Sequence, residues 1–424
     1  MYIKQLLLTA IMALSLLNGF PQDTAVKKNL ADQFVSGYNA GEADSLYKLF
    51  SDEIKKSIQP ANVPSVINQL KSQFGKLLNS EFFSSERGIT SYICTFEKSG
   101  PVLYLHFDNN NKLAGFYVNA DKRQQTTVSE DESAVSVNTP TSELKGTLSV
   151  PRLSGKVPVV LLIAGSGPTD RNGNSILING KPNYLSRISD ALRAKNIAVL
   201  RYDKRGVGQS TSSRTEAEFT FDDMVADAAA LIRLLKSDTR FSKVIVAGHS
   251  EGSLVGIMAS QLENVDGFIS LAGLGLPADA VMKSQFKDAL SSDDYKMAVA
   301  VLDTIKSGKP LGQKLTNGFE IHFRPSIQPY MRSWMQYDPG SELSKLRAPV
   351  LIVQGTNDIQ VSVENATLLK RAQPKAKLVL IEGMSHILKE APADRQLNFA
   401  TYSNSDLGLH PKIIPELTAF INNI

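Results

Sequence analysis

Six stretches of this chain read as buried strands, VPVVLLIAG, IAVLRYD, KVIVAGHS, DGFISLAG, PVLIVQG and AKLVLIEG, and several of them are continuous runs of valine, isoleucine and leucine. A strand with one wet face alternates apolar and polar residues, whereas a strand covered on both faces has no reason to alternate. An earlier segment, LKGTLSVP, opens the series, and helix-like stretches such as YLSRISDALRAKN and FDDMVADAAALIRLLKSD lie between the strands. Strands alternating with helices specify an α/β fold, a doubly wound and mostly parallel sheet. The rhythm breaks between Leu276 and about Leu346, where the sequence turns helical and polar-aromatic before PVLIVQG restores the sheet. So long an interval is too much for a plain connection. A helical cap inserted over 277–346 accounts for it.

The run VIVAGHSEGS ends on a serine between two glycines, Gly248-His249-Ser250-Glu251-Gly252. In a sharp strand-to-helix turn the backbones two residues either side of the serine meet, so side chains there would collide. The turn strains the serine and projects its Oγ from the strand end, near the amides that open the helix. A serine hydroxyl is a weak nucleophile and needs a base, and the base needs an orienting group. Asp358 follows PVLIVQG and His386 follows AKLVLIEG, each in the loop after a core strand. The chain order serine, acid, histidine is the one such a sheet requires, and it brings all three residues to one edge. Ser250, Asp358 and His386 are therefore the candidate nucleophile, orienting acid and base. His249 flanks the serine with a spacing that favours packing in the turn.

Acyl transfer also needs donors for the tetrahedral oxyanion. The backbone N–H of Glu251, directly after Ser250, is one candidate. The loop LLIAGSGPTDRNGN follows an early strand, and Gly165 lets it turn tightly. The N–H of Ser166 is the second candidate, with that of Gly167 as its alternative. This loop lacks the Gly-Lys-Ser/Thr of a phosphate-binding loop, and Asp170, Asn172 and Asn174 lack the remaining ligands of a calcium loop. No metal and no cofactor are expected. In the cap, Tyr330, Trp334 and Tyr337 share one helical face. They either pack on the sheet or line an apolar acyl pocket, with Tyr330 and Trp334 the candidate substrate contacts. Asp170, Arg171 and Arg205 fall on loops near the site and read as an ion-pair network bracing them.

The N-terminal part has a different pattern. Residues 24–121 read as helix first and strands later, with a hairpin turn at Asp108–Asn111 and His106 within a strand. Cys94, the single cysteine, has no motif around it and reads as a buried thiol. Residues 122–141 are rich in Ser, Thr and charge and read as a linker. Before these, residues 1–20 carry one lysine and an apolar stretch from Leu6 to Leu17, too short to span a membrane but suited to a signal peptide. The expectation is a periplasmic or secreted protein with no lipid anchor, free of the membrane after cleavage. Lys and Arg number 46 against 42 Asp and Glu, and no long basic run occurs. Nothing calls for nucleic acid as a partner. Self-association into a homo-oligomer is left open.

Residues 142–424 resemble the α/β-hydrolase superfamily. Within it, GSGPTDRNGN (Gly165–Asn174), YDKRGVGQS (Tyr202–Ser210), GHSEGS and YDPGSEL with PVLIVQGTND are similar to bacterial esterases that bear a signal peptide and a serine-aminopeptidase-like (S33-type) signature. Such relatives carry an acid where this chain has Asn172. Residues 24–121 resemble, by pattern alone, the cone-shaped modules of the nuclear-transport-factor-like class. The resemblance implies a serine carboxylesterase acting without cofactor on a small-molecule ester with a short acyl chain. Two other readings stay open. An aminopeptidase on the same triad would need cap acids, of which Glu320, Asp338 and Glu342 are available, to hold the substrate ammonium. A binding protein with a relic hydrolase would need an incomplete triad.

Overall fold

The computed structural model describes residues 21–86, 88–98, 101–119, 121, 131–175, 181–311, 315 and 319–424. The expected signal peptide, 1–20, and residues 122–130 of the expected linker lie outside them. The chain divides into two compact units, 1–124 and 125–424. No helix among the described residues is long and apolar enough to cross a membrane.

The first unit packs helices on an antiparallel sheet. Its helices are α1 (Pro21–Ala40), α2 (Ala43–Leu49), α3 (Asp52–Ser57) and α4 (Val63–Phe74), followed by strands β1 (Leu77–Glu86), β2 (Ile89–Phe96), β3 (Val102–Phe107) and β4 (Leu113–Asn119). The strands pair in sequence order, as hairpin connections allow. Asp108 accepts backbone N–H bonds from Asn110 and Lys112, and Asn111 takes a positive φ of 57°, which closes the β3–β4 turn. Cys94 is fully buried among Phe34, Tyr38 and Phe96. His106 bonds the Ser91 hydroxyl through Nδ1 at 2.7 Å, as a strand residue facing its neighbour.

The second unit is a nine-stranded sheet. It opens with β5 (Glu132–Thr139) and β6 (Ser142–Ser149), antiparallel to each other. Residues 132–139, read above as the end of the linker, are thus a strand. The reason is visible in the burial: Val135 and Val137 pack on the core while the intervening residues stay wet. A solvated edge strand of small polar residues has the composition of a linker and differs from one only by its alternation. Then come β7 (Val157–Ile163), α5 (Tyr184–Arg193), β8 (Ala198–Tyr202), β9 (Thr211–Ser212), α6 (Phe221–Ser237), β10 (Phe241–His249), α7 (Glu251–Glu263) and β11 (Gly267–Leu271). The cap region follows, with α8 (Ala278–Ala289), α9 (Ser292–Ser307), α10 (Phe319–His322), α11 (Gln328–Trp334) and α12 (Pro339–Ser344). The sheet resumes in β12 (Val350–Gly355), α13 (Val363–Ala372) and β13 (Lys377–Ile381), and α14 (Arg395–Ala400) and α15 (Ile413–Asn423) complete the chain.

Strand order is β13-β12-β11-β10-β7-β8-β6-β5, with β9 beside β6. The strands from β13 through β8 run parallel. Every residue of β8, β11 and β12 is buried. Helices α6 and α7 cover one face, where Phe221, Leu231, Leu254 and Ile257 meet Val159, Leu161 and Val246. Helices α5 and α15 cover the other, against Val160, Leu162, Ile245 and Ile269. A sheet covered on both faces is why the inner strands carry apolar runs without alternation; β13 departs from that expectation, because it is the edge strand and leaves Lys377 and Leu380 exposed. Because the central strands are parallel, the loops after β7, β8, β10, β12 and β13 all emerge at one edge.

Candidate active site

Ser250 stands between β10 and α7 with φ 54° and ψ −122°, a conformation that side chains rarely adopt. The flanking glycines are required by contact. A Cβ on Gly248 would lie 2.1 Å from the Gly252 carbonyl oxygen, and one on Gly252 would lie 2.5 Å from the Ala164 carbonyl oxygen. Ser250 is anchored from its own N–H to the Leu271 carbonyl at 2.9 Å. Its side chain thereby leaves the sheet at the start of α7, whose first amides have no intrahelical partner.

Asp358 and His386 meet. His386 Nδ1 lies 2.8 Å from Asp358 Oδ2, with both side chains almost wholly excluded from solvent. A carboxylate only accepts, so Nδ1 carries the proton and Nε2 is left as the proton acceptor. The other carboxylate oxygen of Asp358 accepts the backbone N–H groups of Gln360 and Val361, each at 2.8 Å. Burial pushes this carboxyl up, but the His386 ring and these hydrogen bonds outweigh it and hold the group below the ordinary aspartate range.

Sequence reasoning missed Gln354. Its Nε2 donates to Asp358 Oδ2 at 2.9 Å and to the Val361 carbonyl at 2.9 Å, so it braces the acid and its loop together. The signal was present as one polar residue at the end of the apolar run PVLIVQG. His249 ties Ser250 to His386. Its Nε2–H donates to the His386 carbonyl at 2.7 Å, and the two rings lie 4.7 Å apart between centroids. Nδ1 of His249 then accepts from the Tyr184 hydroxyl at 3.1 Å. Burial, and then the neighbouring His386, lower the His249 pKa to about 3 and keep the ring neutral.

The loop after β7 runs against the serine. A Cβ on Gly165 would fall 3.2 Å from Ser250 Cβ and 3.0 Å from His249 Nδ1. Ser166 next to it is exposed, and Glu251, the first residue of α7, is buried. The candidate donor Ser166 thus follows the glycine that approaches Ser250 on the loop after β7, while Glu251 follows Ser250 directly at the start of α7. Asp170 is held by a tight turn, accepting from the amides of Asn172 and Asn174 at 2.8 and 2.9 Å, while burial raises its pKa. Arg171 pairs with Asp203 at 2.6 Å, and Arg205 clamps Asp227 through two bonds at 2.9 and 2.8 Å. All four of these side chains are buried, so the charges brace loops. Asn172 accepts from Arg201, which also pairs with Glu132 of β5.

Tyr330 and Trp334 pack around Phe221 of α6, Trp334 with its ring parallel to it at 6.1 Å. The Tyr330 hydroxyl is pushed well above the ordinary tyrosine value, by burial first and then by the Glu251 carboxylate. That contact brings Tyr330 to the residue after Ser250, while Trp334 is wedged between cap and sheet. Among the described residues no group of three or more His, Cys, Asp or Glu side chains could hold a metal ion.

A doubly wound sheet with a serine at a strained strand-to-helix turn, and an Asp–His pair in the loops after β12 and β13, defines the α/β-hydrolase class. The chain is a hydrolase of that fold, joined to a small antiparallel-sheet unit. Residues 180–303 match the serine aminopeptidase family S33, and residues 31–116 match a family of unknown function, DUF3887. The chain is similar to the esterase EstD of Thermotoga maritima, 25% identical over 377 residues, covering 84% of this chain and 86% of that protein. Among solved structures it is similar to Est1E of Butyrivibrio proteoclasticus, at 18% identity and a TM-score of 0.44, over 68% of this chain and 97% of that one. A proline iminopeptidase of Mycobacterium smegmatis matches at 13% identity and a TM-score of 0.46, over 69% and 98%.

Proposed function

We propose that this protein is a serine carboxylesterase that hydrolyses short-chain acyl esters through an acyl-enzyme. The observation that carries the reading is the 2.8 Å bond from His386 Nδ1–H to a buried Asp358, joined through His249 to the strained Ser250. His386 Nε2 takes the Ser250 proton as Oγ attacks the ester carbonyl carbon. The amides of Ser166 and Glu251 receive the oxyanion. Collapse breaks the bond to the alcohol, which leaves with the proton from His386. Water, deprotonated by the same ring, then attacks the acyl-serine and frees the acid and the serine. The similarity to the esterase EstD supports ester over other acyl substrates.

The test is hydrolysis of p-nitrophenyl acetate by wild type and Ser250→Ala. The variant should lose on the order of 10³–10⁶ in kcat. Retention of wild-type activity would remove Ser250 from the mechanism.

The family match to serine aminopeptidases favours a second reading, cleavage of a peptide next to a free amine. Such an enzyme needs an uncommitted acid for the substrate ammonium. Asp338 instead caps α12 by accepting from the Ser341 amide, and Glu342 pairs with Lys345 at 2.7 Å; the Glu320 side chain lies outside the described residues. Amino-acid p-nitroanilides turned over faster than acyl esters would reverse the order of the two readings. Residues 1–20 are proposed as an export signal, to be checked by fractionating cells that express the full chain.

A further inference from the structure

The motif YDKRGVGQS contributes a buried lysine with no part so far. Lys204 follows β8, and its side chain is 8% exposed. Its neighbours Asp203 and Arg205 are each committed to a partner, Arg171 and Asp227. The Lys204 ammonium turns the other way. It donates to the Gly165 carbonyl oxygen at 2.5 Å and to Glu251 Oε1 at 2.9 Å. These two acceptors belong to the two places where the oxyanion donors were assigned.

We propose that Lys204 is a positioning residue that sets both halves of the oxyanion hole; this rests on the acyl-transfer reading above. The peptide between Gly165 and Ser166 is trans, since the structure contains no cis bonds among the described residues. In a trans peptide the C=O and the N–H point in opposite directions. Holding the Gly165 carbonyl against Lys204 therefore aims the Ser166 N–H the other way, out of the loop. The loop itself is pressed against Ser250, where even a methyl group on Gly165 would crowd the serine Cβ. The second donor, the Glu251 N–H, belongs to a residue whose carboxylate the same ammonium holds. One buried cation thus pins a peptide plane on one loop and the first turn of α7 on the other.

The charge acts in the same sense as the geometry. A cation bonded to the Gly165 oxygen withdraws electron density through the amide, which makes the Ser166 N–H a stronger donor. Glu251, 1% exposed, in turn keeps a lysine charge inside the protein compensated. Backbone donors have value only if they are aimed before the oxyanion forms. Such a residue affects the transition state and leaves ground-state binding almost untouched.

The experiment uses the full chain as wild type, Lys204→Met and Glu251→Gln, with folding followed by circular dichroism. The first readout is the second-order rate of labelling by an alkyl fluorophosphonate. There Ser250 Oγ forms a bond to phosphorus, fluoride leaves and the serine proton passes to His386. The second is kcat and KM on p-nitrophenyl acetate. The third is inhibition by an alkyl trifluoromethyl ketone, to whose carbonyl carbon the serine adds, leaving an oxyanion in the hole.

Loss of one aimed donor costs about 10²–10³-fold. Folded Lys204→Met should label and turn over about 100-fold more slowly, with KM changed less than about twofold, and its ketone Ki should rise as kcat/KM falls. Glu251→Gln keeps an acceptor for the ammonium but removes its counter-charge. It should lose roughly tenfold by the same three measures. It carries the test if Lys204→Met does not fold. Labelling and kcat within about threefold of wild type in a folded variant, or a loss confined to KM with ketone affinity unchanged, would overturn the role of Lys204. A wild type that labels yet cleaves no ester would sink the esterase reading alone, because the labelling comparison would still judge Lys204.

Discussion

The ring of His249 donates its Nε2–H to the backbone carbonyl of His386 at 2.7 Å, so the residue before the serine holds the loop of the candidate base. This requires His249 to be neutral at Nδ1, which accepts from Tyr184. Its pKa is lowered to about 3, chiefly by burial, against about 6.5 in an unfolded chain. As pH falls below 6.5 the unfolded chain takes up this proton and the native state does not. The contribution of His249 is therefore complete above pH 6.5 and is lost progressively toward pH 3. The melting temperature of wild type should fall between pH 6.5 and 4 more steeply than that of His249→Gln. Parallel curves would mean that other groups dominate the acid transition.

Ser250 holds φ at 54° where a Cβ is strained. Such strain costs of order 1–3 kcal/mol, while a glycine adds roughly 0.5–1 kcal/mol of unfolded-state entropy. Ser250→Gly should therefore melt higher than wild type, by about 1 kcal/mol of stability, while losing esterase activity. A variant that melts lower would show that hydroxyl contacts outweigh the backbone strain.

Gln354 shares Asp358 Oδ2 with His386. Removing a hydrogen bond to a charged group costs about 1.5–3 kcal/mol. Gln354→Met should lower kcat by roughly tenfold or more, with KM little changed, because the acid then has a looser grip on the imidazole. Unchanged kcat in the folded variant would restrict Gln354 to bracing the loop.

Arg205 and Asp227 are both 2% exposed and joined by two bonds. Burial already raises the Asp227 pKa, and Arg205→Met leaves that carboxylate without its main partner. Breaking a buried pair from one side costs about 3–5 kcal/mol. Denaturant titration should show a loss of that order, against less than about 0.5 kcal/mol for Lys296→Met. Lys296 and its partner Asp293 are 74% and 94% exposed, so that pair is screened by water.

What could be read from the residues alone was whatever is local or periodic. The unbroken apolar runs of β7, β10 and β12 encode double-sided burial directly, and the parallel sheet followed from them, whereas the run of β13 lies at a partly exposed edge. The glycines around Ser250 encode a turn whose backbone contacts are only a few residues apart. Asp358 and His386 were legible because a parallel sheet sends every such loop to the same edge. β5 was not legible as a strand, since its pairing with β6 is a property of both segments and its wet face has linker composition.

Sequence order alone therefore determined the sheet, the strained serine and the edge at which serine, acid and histidine gather. The tertiary structure decided who supports them. Gln354 on Asp358, His249 on the His386 carbonyl, and Lys204 between Gly165 and Glu251 are bonds between segments distant in the chain or dependent on side-chain direction. Neither periodicity nor motif spacing encodes the orientation of a peptide plane or the reach of an ammonium group. Those are fixed only when packing brings the loops into hydrogen-bond distance.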